Sequence, residues 1–441
     1  APRLACRRWE CERKPCEQRK FGSVIGEHIK CYFSARTFDY RPIGLIDRED
    51  DRKTGGKAPL PHIRNFRENM PNTQGDIPLF KVFIPPREAL MPRLEEILYS
   101  GQISEGLPVA EFERRFGGKF GCANVMSFYS GTATLHAALI LAGVRPGDEV
   151  ISTAMTAEPT NMAILHAGGK IVWADVDPLN GNLTAQAVAE KITARTRAIL
   201  LVHYGGIPAP IAGIREIAVA RGIPVIEDAA HALGARYDGR FIGNHSEFVM
   251  FSLQAIKHMT TVDGGMLALN GGADTDALLE AGRKIRWFGI DRAAPRLDVD
   301  VTTVGYKYHM NNVNATIGLV QLDYIDPVIA RHVANGKFFD QALRDIPGLS
   351  LCRWEERAEP AYWFYTVLVE NREGFSRHLA GHGIASSQAH KRNDRHTVFA
   401  ASRCDLPGLD AFYDKMIHIP CGWWIGPEER ESIVSCIRSG W

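Results

Sequence analysis

Lys257 is the residue of this sequence best suited to covalent chemistry. It lies in the stretch 251–265, five residues after Ser252 and shortly before the pair Gly264-Gly265. A lysine amine forms a Schiff base with a carbonyl once burial or neighbouring cations release its proton. The serine hydroxyl could hold a phosphate on the same side, and the glycine pair lets backbone pass close to a bulky group. Taken alone, the stretch is equally typical of a surface loop.

A carboxylate and a histidine follow an earlier apolar run. Asp228 ends the run 225–228, and His231 follows after Ala229 and Ala230. A carboxylate here could pair with a protonated pyridine nitrogen and keep the ring cationic, as an electron sink. The small residues leave room for a flat ring, and His231 could hydrogen-bond its phenolic oxygen or the aspartate. The alternative is a helix N-cap aspartate beside a satisfied histidine.

A third stretch, Ser130-Gly131-Thr132-Ala133-Thr134, follows an apolar run and opens a helical pattern. A helix start presents free backbone amides and the positive end of the helix dipole, so it attracts phosphate. The alternative is an ordinary N-cap, which serine and threonine commonly provide. In chain order, the three stretches could grip a phosphate, hold a pyridinium and form an imine. Pyridoxal phosphate is the cofactor that needs all three functions.

The elements that must position these residues alternate between strand-length apolar runs and helical patterns. Such alternation predicts an α/β fold with a mainly parallel central sheet and helices on both faces. Ligands of these sheets bind beyond the carboxyl ends of the strands, where the three stretches fall. The predicted strands are 125–128, 149–152, 170–174, 198–202, 224–227, 247–251 and 265–269.

The length of 441 residues predicts more than one domain. We divide the chain into an N-terminal extension (1–74), a large cofactor-binding domain (75–325) and a small α/β C-terminal domain (326–441). The extension is polar, rich in arginine and lysine, and expected to be partly disordered. Its cysteines are spaced five residues apart at first, which does not match the usual spacing of zinc ligands; they are Cys6, Cys11, Cys16 and Cys31.

Bulk properties exclude several classes of function. The formal charge of +1 argues against binding to nucleic acid through neutralised phosphates. We find neither an apolar run of membrane-spanning length nor a signal-peptide core, so we expect no membrane partner. The odd total of nine cysteines then indicates reduced thiols and a cytoplasmic protein.

From about residue 101 to Trp441 the chain resembles the DegT/DnrJ/StrS-type sugar aminotransferases, a branch of the aspartate-aminotransferase-like fold (fold type I). The resemblance leaves residues 1–74 uncovered. It follows unbroken order through these landmarks: Ser130-Gly131-Thr132-Ala133-Thr134-Leu135-His136, Gly147-Asp148-Glu149-Val150-Ile151, Asp175-Val176-Asp177-Pro178, Glu227-Asp228-Ala229-Ala230-His231, Phe251-Ser252 with Lys257, Gly264-Gly265, and Gly305-Tyr306-Lys307-Tyr308-His309-Met310.

The resemblance implies roles for individual residues and a homodimer that shares its active sites. Lys257 would carry the cofactor's Schiff base and move the proton between the substrate and the cofactor. Asp228 would pair with the pyridine nitrogen. The other implied cofactor contacts are Gly131, Thr132, His231, Ser252 and Lys307.

Two positions depart from the family's pattern. The family places an aromatic residue against the cofactor where this chain has Ala157, so ring stacking must come from elsewhere, with Met155 as a candidate. The family often carries asparagine, reaching the partner's phosphate, where this chain has Lys307, although Asn311 and Asn312 follow closely. A lysine could still neutralise phosphate, but as a point charge.

Two basic stretches are candidates for the substrate side. Residues 390–396 (His-Lys-Arg-Asn-Asp-Arg-His) could meet a diphosphate or a glutamate carboxylate, and the alternative is a solvated loop. Residues 286–292 (Arg-Trp-Phe-Gly-Ile-Asp-Arg) could line the entrance, although interdomain packing is the favoured interpretation.

The resemblance implies transfer of an amino group, with L-glutamate as the expected donor, to a nucleotide-linked keto-deoxysugar. The products would feed polysaccharide, lipopolysaccharide or amino-sugar biosynthesis, and a perosamine-synthase-like reaction on a GDP-linked 4-keto-6-deoxysugar is preferred. One alternative is a pyridoxal-phosphate-dependent sugar dehydratase, but that subgroup replaces the lysine found here at position 257. Another is a non-catalytic, cofactor-binding regulator, which would need a helix-turn-helix before residue 75 that the sequence does not show.

Overall fold

The strands of the central sheet lie where the sequence predicts them. A computed structural model describes residues 76–292 and 294–441. Its strands are β1 (Val125–Phe128), β2 (Glu149–Ser152), β3 (Lys170–Trp173), β4 (Thr196–Val202), β5 (Val225–Asp228), β6 (Arg236–Tyr237), β7 (Arg240–Phe241), β8 (Phe248–Ser252), β9 (Gly265–Leu269), β10 (Leu349–Leu351), β11 (Ala358–Glu359), β12 (Tyr365–Val369) and β13 (Met416–Ile419).

Helices alternate with these strands and cover the sheet. They are α1 (Arg87–Tyr99), α2 (Leu107–Phe120), α3 (Gly131–Leu141), α4 (Glu158–His166), α5 (Ala185–Lys191), α6 (Ile211–Val219), α7 (Thr275–Ile285), α8 (Asn312–Ala342), α9 (Arg372–Gly381), α10 (Pro407–Lys415) and α11 (Pro427–Arg438). In the described part of the chain, none of them combines the length and apolarity needed to cross a bilayer.

The central sheet has seven strands in the order β1-β9-β8-β5-β4-β2-β3. The pairs β2–β3, β2–β4, β4–β5 and β5–β8 are parallel, and β9 runs antiparallel to both of its neighbours. The predicted mainly parallel α/β sheet is therefore confirmed. Since β4, β5 and β8 run in the same direction, their carboxyl ends meet at one edge.

Helix α3 explains how the site is fixed to this sheet. Its residues 133–139 are all buried, which is typical of a helix enclosed on every side. It packs against β8, β9, α4 and α7. The first turn of α3 therefore has little freedom relative to the end of β8.

A smaller antiparallel sheet, β10-β12-β13, packs with α9 and α11 around a second core. The long helix α8 runs 31 residues and contributes Phe339 to that core. The predicted boundary at 325–326 falls inside α8, so both predicted domains share this helix, and the division itself stays a prediction. The predicted extension (1–74) lies outside the described residues.

The stretch 286–292 begins with a buried charge. Arg286 is 7% exposed and donates to Glu113 at 2.7 Å, Glu105 at 2.6 Å and the carbonyl of Ser127 at 3.0 Å. Glu113 also accepts from the amide and the hydroxyl of Ser127. Arg286 thus joins α7 to α2 and β1, which supports the packing interpretation for this residue.

We expect Arg286→Met to lower the free energy of unfolding by about 3 kcal/mol, because the part-buried Glu113 loses its cation and Glu105 keeps only Arg292. Urea unfolding measures this change. Arg114→Met is the matched control, since the exposed pair Arg114–Glu111 lies on one helix surface and should contribute little. Equal loss in the two variants would contradict the structural role of Arg286.

Candidate active site

A cavity of about 350 Å³ opens beyond the carboxyl ends of β4, β5 and β8. Six of the seven predicted site residues line it, and they come from three separate stretches of the chain. The six are Gly131, Thr132, Asp228, His231, Ser252 and Lys257. The structure therefore brings the three stretches together around one cavity.

Lys257 presents its amine to this cavity. Burial lowers the pKa of the amine to about 7, and the negative charge of Asp228 opposes that shift. The Nζ atom lies 3.7 Å from the centroid of the Trp363 ring. The indole nitrogen of Trp363 also donates to the carbonyl of Ile256 at 2.9 Å, which fixes the backbone next to the lysine. Near neutral pH, a large share of the amine is uncharged and nucleophilic.

Asp228 lies at the last position of β5 and is 3% exposed. Burial raises the pKa of its carboxyl, while hydrogen bonds from Thr160 Oγ1 at 2.7 Å and the amide of Ala230 at 3.0 Å act in the opposite direction. Lys257 adds a weaker stabilising attraction. These donors therefore favour the charged carboxylate against the effect of its burial.

Thr160 extends this contact into a buried hydrogen-bonded chain. Its single hydroxyl proton goes to Asp228, so the hydroxyl of Thr156, 2.9 Å away, must donate to Thr160. The carbonyl of Thr156 accepts from Asn393 at 2.8 Å, and Asn161 donates to the side chain of Asn393 at 2.8 Å. The segment that follows His390 is thereby tied to the carboxylate at the end of β5.

His231 stacks instead of bonding to the aspartate. Its ring lies 3.9 Å from that of Trp363 at 17° and 5.6 Å from that of His390 at 4°. Burial, and then the charge of Lys257, hold the pKa of His231 well below its usual value, so the ring is neutral. Among the described residues its Nδ1 atom has no hydrogen-bond partner.

The start of α3 and Ser252 form the other end of the cavity. Ser130 is the N-cap, and its hydroxyl accepts from the amide of Ala133 at 3.1 Å. A Cβ atom at Gly131 would lie 3.2 Å from Ser252 Cβ and 3.3 Å from its Oγ. The ordinary N-cap interpretation is thus correct for Ser130, yet the glycine is also what allows the serine hydroxyl to lie beside the helix start.

Lys307 lies outside the cavity of its own chain. Its Nζ atom is 4.0 Å from the centroid of the Trp287 ring, and the two residues form an isolated β-bridge. The predicted contact with a partner's phosphate stays a prediction.

Ala157 lines the cavity, so the loop before α4 offers no aromatic ring at this point. Met155, the proposed substitute, is fully buried in the core and is not among the lining residues. The aromatic groups of the cavity are instead Trp363 and the two histidines that stack with it. The sequence placed an aromatic stretch at Trp363 but gave no sign that it would cover the lysine.

The basic stretch 390–396 is mostly committed to internal contacts. Arg392 is 3% exposed and pairs with Asp394 at 2.7 Å and with Asp410. It is therefore neither a free cation nor part of a solvated loop. Lys391 and Arg395 remain exposed, and only His390 of this stretch lines the cavity.

The residues present fit pyridoxal phosphate. The cavity offers an amine of lowered pKa, a buried carboxylate for the ring nitrogen, and a helix start with a serine hydroxyl beside it. Ala157 and Ala230 leave space for a flat ring between these groups.

Comparison with known proteins gives the same result. The model of the DegT/DnrJ/EryC1/StrS aminotransferase family matches residues 86–438. The uncharacterized protein MJ1066 of Methanocaldococcus jannaschii is 30% identical over 360 residues, which are 77% of this chain and 92% of that protein.

Two solved structures are similar to this chain over most of its length. The sugar aminotransferase CalS13 from Micromonospora echinospora is 39% identical with a TM-score of 0.79, covering 83% of this chain and all of that one. AtS13 from Actinomadura melliaura is 40% identical with a TM-score of 0.80, covering 84% of this chain and all of that one. The chain belongs to the DegT/DnrJ/EryC1/StrS aminotransferase family and is a pyridoxal-phosphate-dependent aminotransferase.

Proposed function

We propose that the protein transfers an amino group from L-glutamate to the keto carbon of a nucleotide-linked keto-deoxysugar. The observation that carries the proposal is that Lys257 and Asp228 face one cavity whose far end is the start of α3. The similarity to CalS13, a sugar aminotransferase, supports a sugar as the acceptor. By sequence resemblance, the preferred acceptor is a GDP-linked 4-keto-6-deoxysugar, and the product would enter polysaccharide or amino-sugar biosynthesis.

Four residues would hold the cofactor at its two ends. Gly131, Thr132 and Ser252 would bind its phosphate through the helix start and two hydroxyls. Asp228 would accept a hydrogen bond from the protonated ring nitrogen. When bound, pyridoxal phosphate supplies an electron sink and carries nitrogen from donor to acceptor.

Lys257 would hold the cofactor covalently and, when free, carry the proton. A pKa of about 7 lets its amine both accept a proton and return it at neutral pH, which is the condition for efficient general acid–base catalysis. Trp363 covers the amine and would limit contact with water during that transfer.

We further propose a homodimer. Large apolar side chains surround the segment 305–314, in which Lys307 lies: Tyr129, Val262, Phe288 and Val304 are 44–76% exposed. Backbone hydrogen bonds place Tyr129 and Phe288 beside this segment. A second copy covering these side chains would also bring Lys307 to another chain, in keeping with its predicted role.

A cytoplasmic location is part of the proposal. The five cysteines of the described residues are all free thiols, as expected in a reducing compartment.

The direct test is an absorbance spectrum of the protein with pyridoxal phosphate, before and after addition of L-glutamate. We expect the imine band to be replaced by the shorter-wavelength amine form, and later addition of the keto sugar to restore it. Lys257→Ala should show no borohydride-reducible cofactor, whereas the exposed Lys170→Ala should behave as the parent protein. A covalent cofactor adduct in Lys257→Ala would show that Lys257 is not the residue that holds the cofactor. A band that glutamate leaves unchanged would reject glutamate as donor.

The pKa of Lys257 predicts how covalent attachment of the cofactor depends on pH. The neutral amine is the nucleophile, so the rate of attachment to cofactor-free protein should rise with pH and reach half its plateau near pH 7. Asp228 opposes the lowered pKa, so Asp228→Asn should move the midpoint to lower pH. Stopped-flow absorbance measures both profiles. A rise that begins only above pH 9 would show that the amine is not desolvated.

Thr160 is predicted to be a positioning residue for Asp228. Thr160→Val should lower kcat about tenfold or more with little change in KM, because a hydrogen bond to a charged group contributes about 1.5–3 kcal/mol and each ~1.4 kcal/mol changes a rate tenfold. Thr160→Ser keeps the hydroxyl and should restore kcat. Steady-state kinetics, with cofactor content checked by absorbance, measures the effect. Equal loss in both variants would indicate a packing defect.

A further inference from the structure

Three side chains that can bind a metal ion, two imidazoles and one thiol, lie close together near the smaller sheet. His378 lies in the last turn of α9, and His382 directly follows that helix. Residues four apart on a helix share a face, and the two imidazole centroids are 4.6 Å apart. Cys436 lies near the end of α11, which packs against α9. One ligand atom from each of the three residues lies within 4.8 Å of the other two.

The thiol of Cys436 lacks the contact that comparable thiols make. It is 6% exposed, and no hydrogen bond to its sulfur occurs among the described residues. By contrast, the buried thiols of Cys122, Cys352 and Cys421 each donate to a backbone carbonyl. The sulfur of Cys436, which is buried beside two imidazoles, is therefore available as a metal ligand.

The two histidines leave donor atoms available. His382 uses Nδ1 to donate to the carbonyl of His378 at 2.9 Å, which leaves its Nε2 free on an exposed side chain. His378 Nε2 lies 2.8 Å from the carbonyl oxygen of Cys436 and 3.2 Å from Ser439 Oγ. Because a carbonyl oxygen only accepts, this Nε2 atom carries the proton, and the Nδ1 atom of His378 is the nitrogen that can bind a metal.

We propose that His378, His382 and Cys436 form a zinc-binding site that joins the end of α9 to α11. Two imidazole nitrogens and one thiolate are ligands that Zn²⁺ prefers, and a water supplies the fourth position. Binding deprotonates the Cys436 thiol and releases that proton to solvent.

The three ligand atoms, which lie within 4.8 Å of one another, must move only slightly closer together to bind one zinc ion. Bonds of about 2.0–2.3 Å place tetrahedral ligand atoms about 3.5 Å apart. The exposed His382 side chain can rotate to close the difference. Because none of the three residues lines the cavity of Lys257, the site is structural and independent of the proposed reaction.

The test uses tag-free holoenzyme treated with a chelator and then titrated with Zn²⁺ in competition with a chromophoric chelator. We expect one Zn²⁺ per chain, binding at least tenfold weaker in Cys436→Ser and in His382→Ala, and an unchanged affinity in the exposed-thiol control Cys404→Ser. Zn²⁺ should raise the Tm of the parent protein and leave the Tm of the two ligand variants unchanged.

Cobalt provides a second, direct readout. Co²⁺ in place of Zn²⁺ should give the intense long-wavelength absorption of a tetrahedral site, and Cys436→Ser should abolish it. The proposal is overturned if the parent protein takes up no Zn²⁺, or if the two ligand variants bind Zn²⁺ as tightly as Cys404→Ser does. His382 is exposed, so its variant tests the site even if the buried Cys436→Ser fails to fold.

Discussion

The active site depends on the burial of two ionisable groups, the amine of Lys257 and the carboxyl of Asp228, beside one cavity. Burial pushes the pKa of Lys257 down and that of Asp228 up, so desolvation drives both groups toward their neutral forms. A neutral amine is useful for bond formation, whereas a neutral carboxyl could not hold a protonated ring nitrogen. The protein separates the two outcomes by giving Asp228 the hydrogen-bond donors Thr160 and Ala230, which favour the charged carboxylate, whereas burial dominates at Lys257 and favours the neutral amine.

The parallel sheet brings these groups together. Strands β5 and β8 are paired neighbours running in one direction, so Asp228 and Ser252 end at the same edge. Helix α3 is enclosed by the sheet and α4, which fixes its first turn beside Ser252. Gly131 and Asp228, which are 97 positions apart in the sequence, thereby line one cavity. The arrangement of strand ends is the reason that a local sequence pattern could predict a site.

Local patterns predicted the strands, the sheet type and six cavity residues, because each depends on hydrophobic period and on the residue types at strand ends. They did not predict Thr160 as the partner of Asp228, a contact across 68 residues, or Asn393 as the donor to Thr156, across 237. Such pairs arise only when separate elements pack. The same limit applies to Arg392, whose charge was evident from the sequence but whose partner Asp410 was not.

The buried chain from Asn393 through Thr156 and Thr160 to Asp228 has a consequence for redesign of the enzyme. The loop 390–396, which lines the cavity through His390, is also linked to Asp228, so it cannot be exchanged as an independent module. Lys391 and Arg395 are exposed and can be varied, while the side-chain amide of Asn393 is constrained by its contact with Thr156. A grafted loop without this amide would remove one support of the contact between Thr160 and Asp228.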